Sequence, residues 1–167
     1  MTRPGSPIPD LGPKGQGWVI LQFIGIALVL VADQLRLPML LMPGAAAMAA
    51  VAIGWALLVA GALLFAGALL YLWRAGSFTA NPRPLPTGRL VRSGPYQIVR
   101  HPVYSGLVLG AFGLALVRLS TPTLLAAVLL FVVLDLKRRR EEIWLAEQFA
   151  EYPAYRRETR ALIPLLY

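Results

Sequence analysis

The chain has 167 residues and a mass of 18.2 kDa, which leaves room for one domain or two very small ones. Hydrophobic residues make up 57% of it and charged residues only 14%, against about 45–50% and about 25% in an ordinary soluble domain. This balance excludes a disordered protein, a collagen and a typical soluble enzyme, and the absence of cysteine excludes disulfides, thiolate metal sites and cysteine nucleophiles. A net charge of +8 beside long apolar runs indicates an integral membrane protein.

The first part of the chain contains two apolar runs. Residues 1–17 are rich in Pro and Gly, do not fit a signal peptide and are predicted to be a flexible terminus. Trp18 to Ala32 is short for a span of about 20 residues, but Leu35 to Met42 could extend it. Ala45 to Trp73 is 29 residues long and carries no charge. Glycines that favour a close approach of another helix occur in this run at Gly54, Gly61 and Gly67. Residues 18–73 are therefore predicted to form two transmembrane spans.

Two shorter apolar runs follow a polar, proline-rich segment. Val103 to Val117 and Thr121 to Leu134 have 15 and 14 residues, and neither is long enough to be a comfortable span alone. Together they are predicted to form a tight helical hairpin with Arg118 snorkelling at its tip. From Lys137 onward the chain is predicted to form a charged amphipathic helix that ends at Ile163-Pro164.

The positive charges fall on one side of the membrane if the chain crosses four times. Fourteen of the 16 Lys and Arg residues then share a side, and only Arg36 and Arg118 lie on the other. This bias predicts cytoplasmic termini and a multi-pass protein of the inner (cytoplasmic) membrane. The predicted fold class is all-α: a polytopic membrane helix bundle of about four spans, including the C-terminal hairpin, plus a cytoplasmic amphipathic C-terminal helix.

Polar residues able to do chemistry gather in two cytoplasmic stretches, Gly88 to Gly106 and Lys137 to Tyr155. They flank the predicted hairpin, which should bring them together into a site at the membrane surface. Pro102 suits the first position of a helix, and this places His101 at the helix N-terminus, where the dipole favours an anion. Tyr104 lies one turn inside and can present its hydroxyl or ring to the same ligand.

The chain before this helix offers backbone donors. Gly94-Pro95 is predicted to turn the chain and to leave the N–H groups of Leu90 and Val91 free for the edge of a flat heterocycle. Taken singly, His101 could be a headgroup contact or a helix cap, and Arg100 an interfacial anchor. Gly-Pro-Tyr and Arg-His-Pro-x-Tyr-x-Gly lie close together in the sequence. This concentration of residues favours one functional site over a separate structural role for each residue.

The acidic pair Glu141-Glu142 follows four cations. It can form i,i+4 ion pairs on a solvated helix, such as Lys137 with Glu141 and Arg138 with Glu142. The functional alternative is that one carboxylate accepts hydrogen bonds from ribose hydroxyls or an ammonium group. A membrane-facing stripe is predicted beyond the pair at Trp144, Leu145 and Phe149.

At these residues the sequence resembles the isoprenylcysteine carboxyl methyltransferases and their relatives, the phospholipid N-methyltransferases. The similarity covers roughly Phe78 to Pro164, about half of the chain. The matching pieces are Leu90-Val91-x-Ser93-Gly94-Pro95-Tyr96, then Arg100-His101-Pro102-x-Tyr104-x-Gly106, then Glu141-Glu142-x-x-Leu145 with Phe149, Tyr152, Tyr155 and Ile163-Pro164.

The resemblance implies an integral-membrane methyltransferase that uses S-adenosyl-L-methionine and acts on a lipophilic small molecule or lipid at the membrane interface. The acceptor group could be a carboxylate or an amine, and neither a metal nor nucleic acid is expected as a partner. Residues 74–167 would be the catalytic, cofactor-binding region. The implied cofactor-binding residues are Leu90, Val91, Tyr96, His101, Pro102, Val103, Tyr104, Glu141 and Glu142. The predicted catalytic residues are Arg100, Lys137 and Arg138. In the isoprenylcysteine branch an arginine stands where this chain has Lys137, so the substrate contact departs from that pattern.

Two other functions remain open from the sequence. Membrane reductases of the sterol-reductase type have a similar His-Pro-x-Tyr-x-Gly segment and bind NADPH, but a glutamate usually follows the glycine where Leu107 stands here. A non-enzymatic membrane scaffold could hold anionic headgroups with its basic loops. The Glu141-Glu142 pair favours the methyltransferase.

Overall fold

A computed structural model describes residues 8–35 and 43–163 of the chain. The α-helices in these ranges are α1 Gln16–Val31, α2 Gly44–Arg74, α3 Pro102–Arg118, α4 Thr121–Gln148 and α5 Tyr152–Glu158. Short 3₁₀ helices lie at Ala32–Leu35 and Gly94–Gln97. The described ranges contain no β-strand, only an isolated parallel bridge between Val99 and Arg160. The prediction of an all-α chain is confirmed for these residues, whereas Arg36, most of Leu35 to Met42, and Pro164 lie outside them.

Three helices follow the predicted apolar runs to within about two residues at each end, and α4 does not. α4 continues past Leu134 through the cations to Gln148, because no Gly or Pro interrupts this stretch of strong helix formers. The prediction of one separate amphipathic helix from Lys137 to Ile163-Pro164 is therefore wrong. The chain leaves the helix at Phe149, and α5 begins three residues later.

Glycines hold α2 and α3 in close antiparallel contact. A methyl group added at Gly61 would stand 2.7 Å from the carbonyl oxygen of Gly106, and one added at Gly54 would stand 2.8 Å from that of Gly113. Backbone atoms cannot move aside as side chains do, so only glycine fits at these crossings. The predicted close approach is confirmed at Gly54 and Gly61. It is wrong for Gly67, because among the described residues no atom of another segment lies within 4 Å of a methyl group added there.

The turn between α3 and α4 lies against the end of α1. Arg118 donates hydrogen bonds to the carbonyl oxygens of Val29 (3.3 Å) and Leu30 (2.9 Å). Leu119 takes a positive φ of 48°, and Ser120 caps α4 by accepting from the backbone N–H of Thr123 at 3.3 Å. The opposite end of the molecule therefore contains the start of α1, the end of α2, the start of α3 and the second half of α4.

Within residues 8–35 and 43–163, two helices are long and apolar enough to cross a membrane. They are Gln16–Leu35, with a mean hydropathy of 2.0, and Gly44–Arg74, with 2.3, and Pro102–Arg118 is a shorter apolar helix. Large apolar side chains cover the outer faces of α1 and α2, among them Ile20, Ile24, Met48 and Leu63. Continuous apolar surfaces of this kind are typical of contact with lipid or a partner.

Candidate active site

A cavity of about 240 Å³ lies where the start of α3 meets the second half of α4. The two polar stretches predicted to meet do come together here. Nine of the predicted site residues line the cavity: Leu90, Val91, Tyr96, Arg100, His101, Val103, Tyr104, Lys137 and Glu141. The other three, Pro102, Arg138 and Glu142, are buried beside it and do not line it.

The loop before α3 forms one wall of the cavity. Two hydrogen bonds of 2.8 Å connect Ser77 with Arg89 at the start of this wall. The Ser77 hydroxyl donates to the carbonyl oxygen of Arg89 and accepts from its backbone N–H. Beyond these bonds, neither Leu90 nor Val91 has a hydrogen-bond partner for its backbone N–H among the described residues. Gly94 then turns the chain with φ +60° directly against the ring of Tyr71. The predicted free donors therefore exist, on two residues that line the cavity.

The start of α3 is held by the C-terminal segment of the chain. Pro102 begins the helix as predicted, and the His101 side chain makes no cap hydrogen bond. The backbone N–H groups of Arg100 and His101 donate to the carbonyl oxygens of Arg160 (2.8 Å) and Ala161 (3.1 Å). Ser105 Oγ donates to the carbonyl oxygen of Leu162 at 2.6 Å. No local sequence pattern predicted this pairing.

The Glu142 carboxylate faces the side chains of four cationic or ionisable residues. Its Oε1 lies 3.1 Å from Arg100 Nε, 3.3 Å from His101 Nε2 and 3.6 Å from Arg138 Nη1, and its Oε2 lies 3.4 Å from Arg156 Nε. We call these five residues the Glu142 cluster. Burial alone would raise the pKa of Glu142, but the hydrogen bond with His101 and the charges of His101, Arg100 and Arg138 outweigh it and lower the pKa to about 2. Glu142 therefore stays ionised and orients two cavity residues, Arg100 and His101, from behind.

Arg100 also binds the chain beyond α5. Its Nη1 donates to the carbonyl oxygen of Arg156 at 3.1 Å and to that of Thr159. The predicted ion pair of Arg138 with Glu142 forms in this buried cluster, where Arg138 also pairs with Asp135 at 2.6 Å. The alternative in which these charges lie on a solvated helix face does not apply, because Arg138 is 6% exposed.

Glu141 faces the cavity. The Tyr104 hydroxyl donates to its Oε2 at 2.6 Å, and His101 Nδ1 lies 3.7 Å from the same oxygen. The rings of His101 and Tyr104 stack with their centroids 5.5 Å apart. The Glu141 side chain is 23% exposed, so its carboxylate remains accessible to a ligand. The two acidic residues thus face opposite sides of His101.

Lys137 contributes a buried ammonium group to the cavity wall. Its Nζ donates to Gln22 Oε1 at 2.6 Å and to the carbonyl oxygen of Ala80 at 3.0 Å, and it lies 5.1 Å from the centroid of the Tyr104 ring. Burial lowers the pKa of Lys137 to about 8, although the charge of Glu141 acts in the opposite direction. Lys137 thereby ties α4 to α1 and to the loop instead of forming the predicted i,i+4 pair with Glu141.

The stripe predicted to face the membrane points inward. Trp144 is buried beneath the Arg140 guanidinium, which lies 4.5 Å from the centroid of its ring. Leu145 and Phe149 line the cavity. The prediction for these three residues is wrong because periodicity reveals an apolar face without revealing what covers it.

The beginning and the end of the chain also enclose the site, which the sequence did not indicate. Asp10 forms an ion pair with the buried Arg140, and Pro9 accepts a hydrogen bond from Trp18 Nε1 at 3.0 Å. Residues 1–7 of the predicted flexible terminus lie outside the described residues. On the other side, the Tyr155 hydroxyl donates to the carbonyl oxygen of Tyr96 at 2.6 Å.

The described ranges form helices, two of them long and apolar enough to cross a membrane, and several helix ends meet around a cavity; these features indicate a helical membrane protein. The family model described as phospholipid methyltransferase matches residues 49–152. The chain belongs to the phospholipid methyltransferase family, which confirms the resemblance seen in the sequence and implies a membrane methyltransferase.

Among curated proteins, the chain is similar to the cobalt-zinc-cadmium resistance protein CzcN of Cupriavidus metallidurans, with 37% identity over 78 residues. The match covers 46% of this chain and 36% of CzcN, so this chain spans about a third of that relative. No solved structure matches the chain. The described ranges contain no group of three or more His, Asp or Glu residues placed to hold a metal ion.

The Glu142 cluster makes stability depend on pH. We expect Glu142→Gln to lower the free energy of unfolding by about 3–5 kcal/mol at neutral pH, because the change leaves several buried cations without their counter-charge. Since the folded-state pKa is depressed from 4.5 to about 2, the contribution of Glu142 is complete above pH 4.5 and is lost as pH falls from 4.5 toward 2.

Thermal unfolding of the detergent-solubilised proteins across this pH range measures the effect. The exposed Glu151, whose side chain makes no cap hydrogen bond, provides a matched control as Glu151→Gln. A difference between wild type and Glu142→Gln that stays constant from neutral pH to pH 2 would contradict the assignment.

Proposed function

We propose that the protein is an S-adenosylmethionine-dependent methyltransferase that methylates a lipophilic acceptor at the membrane interface. The observation that carries the proposal is a single cavity with a polar wall and an apolar wall, in a chain of the phospholipid methyltransferase family. The polar wall suits a nucleoside-containing cofactor, and the apolar wall suits a lipid-like acceptor.

The polar groups of the cavity fit the cofactor. The N–H groups of Leu90 and Val91 can donate to the ring nitrogens of an adenine edge, and Tyr96 closes the same wall. The accessible Glu141 carboxylate can accept from ribose hydroxyls or from the ammonium group of the methionine part. When bound, the cofactor would supply a methyl group on a positively charged sulfur.

The acceptor would lie against the apolar wall. α1 contributes Phe23 to the cavity and α2 contributes Phe65, Leu69 and Leu72. α1 packs mainly on α4, and α2 packs mainly on α3. The apolar wall is therefore built from two helix pairs, with Phe23 from one and Phe65, Leu69 and Leu72 from the other. An acyl or prenyl chain could enter from the lipid side and place a polar end near Lys137, which leaves both a carboxylate and an amine as acceptor groups.

The residues in the cavity divide into those that would touch ligands and those that position them. Arg100, His101, Tyr104, Glu141 and Lys137 line the cavity and are proposed contacts, as is Val103. We assign Pro102, Arg138 and Glu142 positioning roles, because they support the cavity residues without lining it. Enclosure between helices excludes water, so orientation and desolvation would supply most of the rate acceleration.

We also propose four spans in the inner membrane, with α3 and the first half of α4 as a hairpin that crosses the membrane twice and both termini in the cytoplasm. The cavity and the cationic second half of α4 would then share the cytoplasmic side, and Arg118 the opposite side.

Single cysteines test this topology, because the natural chain has none. Ser93→Cys and Gln34→Cys are exposed positions at opposite ends of the helices. A membrane-impermeant maleimide applied to intact spheroplasts should label Gln34→Cys alone, and both variants after permeabilisation. Labelling of Ser93→Cys in intact spheroplasts would contradict the orientation.

Cofactor binding is measured by calorimetric titration of the purified protein with S-adenosylhomocysteine and, in parallel, NADPH. We expect binding of S-adenosylhomocysteine that weakens about tenfold or more in Glu141→Gln, since a charge-assisted hydrogen bond is worth about 1.5–3 kcal/mol. Glu151→Gln, exposed and outside the cavity, should bind as wild type does. Binding of NADPH alone would contradict the proposal in favour of a reductase, which the family match does not favour.

A further inference from the structure

We propose that the Tyr152 hydroxyl is a ligand-binding group that forms a hydrogen bond with the nucleoside end of the cofactor. This inference rests on the proposed function and assigns one contact within it. From the sequence, Tyr152 is a matching position of the family resemblance that is expected to pack or to bind headgroups, and a ligand contact departs from that expectation.

The hydroxyl is buried without a partner. Tyr152 is 1% exposed and lines the cavity, yet its hydroxyl has no hydrogen-bond partner in the part of the chain that the structure describes. Buried polar atoms in folded proteins are nearly always paired, because an unpaired one loses its bonds to water without replacement. A hydroxyl left unpaired beside a cavity is explained if the cavity's ligand supplies the missing partner.

Two neighbouring tyrosine hydroxyls in the same cavity wall already have partners. Tyr155 donates to the carbonyl oxygen of Tyr96, and Tyr104 donates to Glu141, both at 2.6 Å. The ring of Tyr152 is also fixed, since it meets the Tyr155 ring edge to face with the centroids 6.0 Å apart. Tyr152 thus offers an oriented hydroxyl whose hydrogen-bonding capacity is not used within the protein.

The position of Tyr152 indicates which part of the ligand it would meet. The hydrogen bond of Tyr155 to Tyr96 holds the start of α5 against the segment that carries the free N–H groups of Leu90 and Val91. Those N–H groups can only donate, whereas a tyrosine hydroxyl both donates and accepts. A nucleoside presents ring-nitrogen acceptors beside amine and hydroxyl donors. The two N–H groups can donate to the ring nitrogens, and the Tyr152 hydroxyl can accept from an amine or hydroxyl group.

Burial, together with the nearby charges of Glu142 and Glu141, raises the pKa of Tyr152 far above its ordinary value, although Arg100 acts in the opposite direction. The side chain therefore remains a neutral hydroxyl, able to donate as well as to accept.

The test is Tyr152→Phe, which removes only the hydroxyl, with Tyr155→Phe as the matched control. Calorimetry measures the binding of S-adenosylhomocysteine and of 5′-methylthioadenosine, which keeps the nucleoside and lacks the amino acid. Thermal unfolding without ligand measures stability. We expect Tyr152→Phe to unfold at the wild-type temperature or higher and to bind both ligands about three- to tenfold more weakly, as the loss of one hydrogen bond implies. Tyr155→Phe should unfold at a lower temperature, because it loses the bond to Tyr96.

Several results would overturn the assignment. Wild-type affinity in Tyr152→Phe would show that the hydroxyl does not meet the ligand. Weaker binding of S-adenosylhomocysteine with unchanged binding of methylthioadenosine would move the contact to the amino-acid end. A loss of stability without ligand as large as that of Tyr155→Phe would indicate a structural role. If wild type bound neither ligand, the proposed function would fail first and this inference with it.

Discussion

The arrangement of the site depends on one buried carboxylate. Glu142 projects from α4 into the gap between the start of α3 and the C-terminal segment, where it faces Arg100, His101, Arg138 and Arg156. Cations brought together at this density would repel one another, and their burial would be costly without a counter-charge. Their shared carboxylate allows the polar ends of the helices to pack closely, and this packing creates the cavity.

The same interaction explains how two adjacent glutamates differ. Consecutive residues on a helix point in directions about 100° apart, so only one of the pair can face the cluster while its neighbour faces the cavity. Glu142 supports His101 from one side, and Glu141 meets His101 and Tyr104 on the other. A structural ion pair at Glu142 and an accessible carboxylate at Glu141 that lines the cavity are therefore both present, where the sequence had offered an ion pair and a ligand contact as alternatives.

Much of this architecture could be predicted from local pattern. Apolar runs predicted α1, α2 and α3 closely, and Pro102 predicted the residue at which α3 begins. The spacing of the motif residues led to the family, which the comparison confirmed. What local pattern could not predict were contacts between segments distant in sequence. Three such contacts depend on which surfaces meet: the pairing of residues 98–101 with 160–161, the bond of Lys137 to Gln22 and the burial of Trp144.

The central claim is methyl transfer to a membrane acceptor, and its most direct measurement uses the protein in its own membranes. Membranes containing wild type or His101→Ala, at matched protein levels, would be incubated with S-adenosylmethionine carrying a radiolabelled methyl group and then extracted with organic solvent. We expect label in the lipid extract for wild type and a large loss for His101→Ala, because His101 lines the cavity and pairs with Glu142. Equal labelling in both membranes, or label in neither extract although the purified protein binds the cofactor, would contradict the central claim.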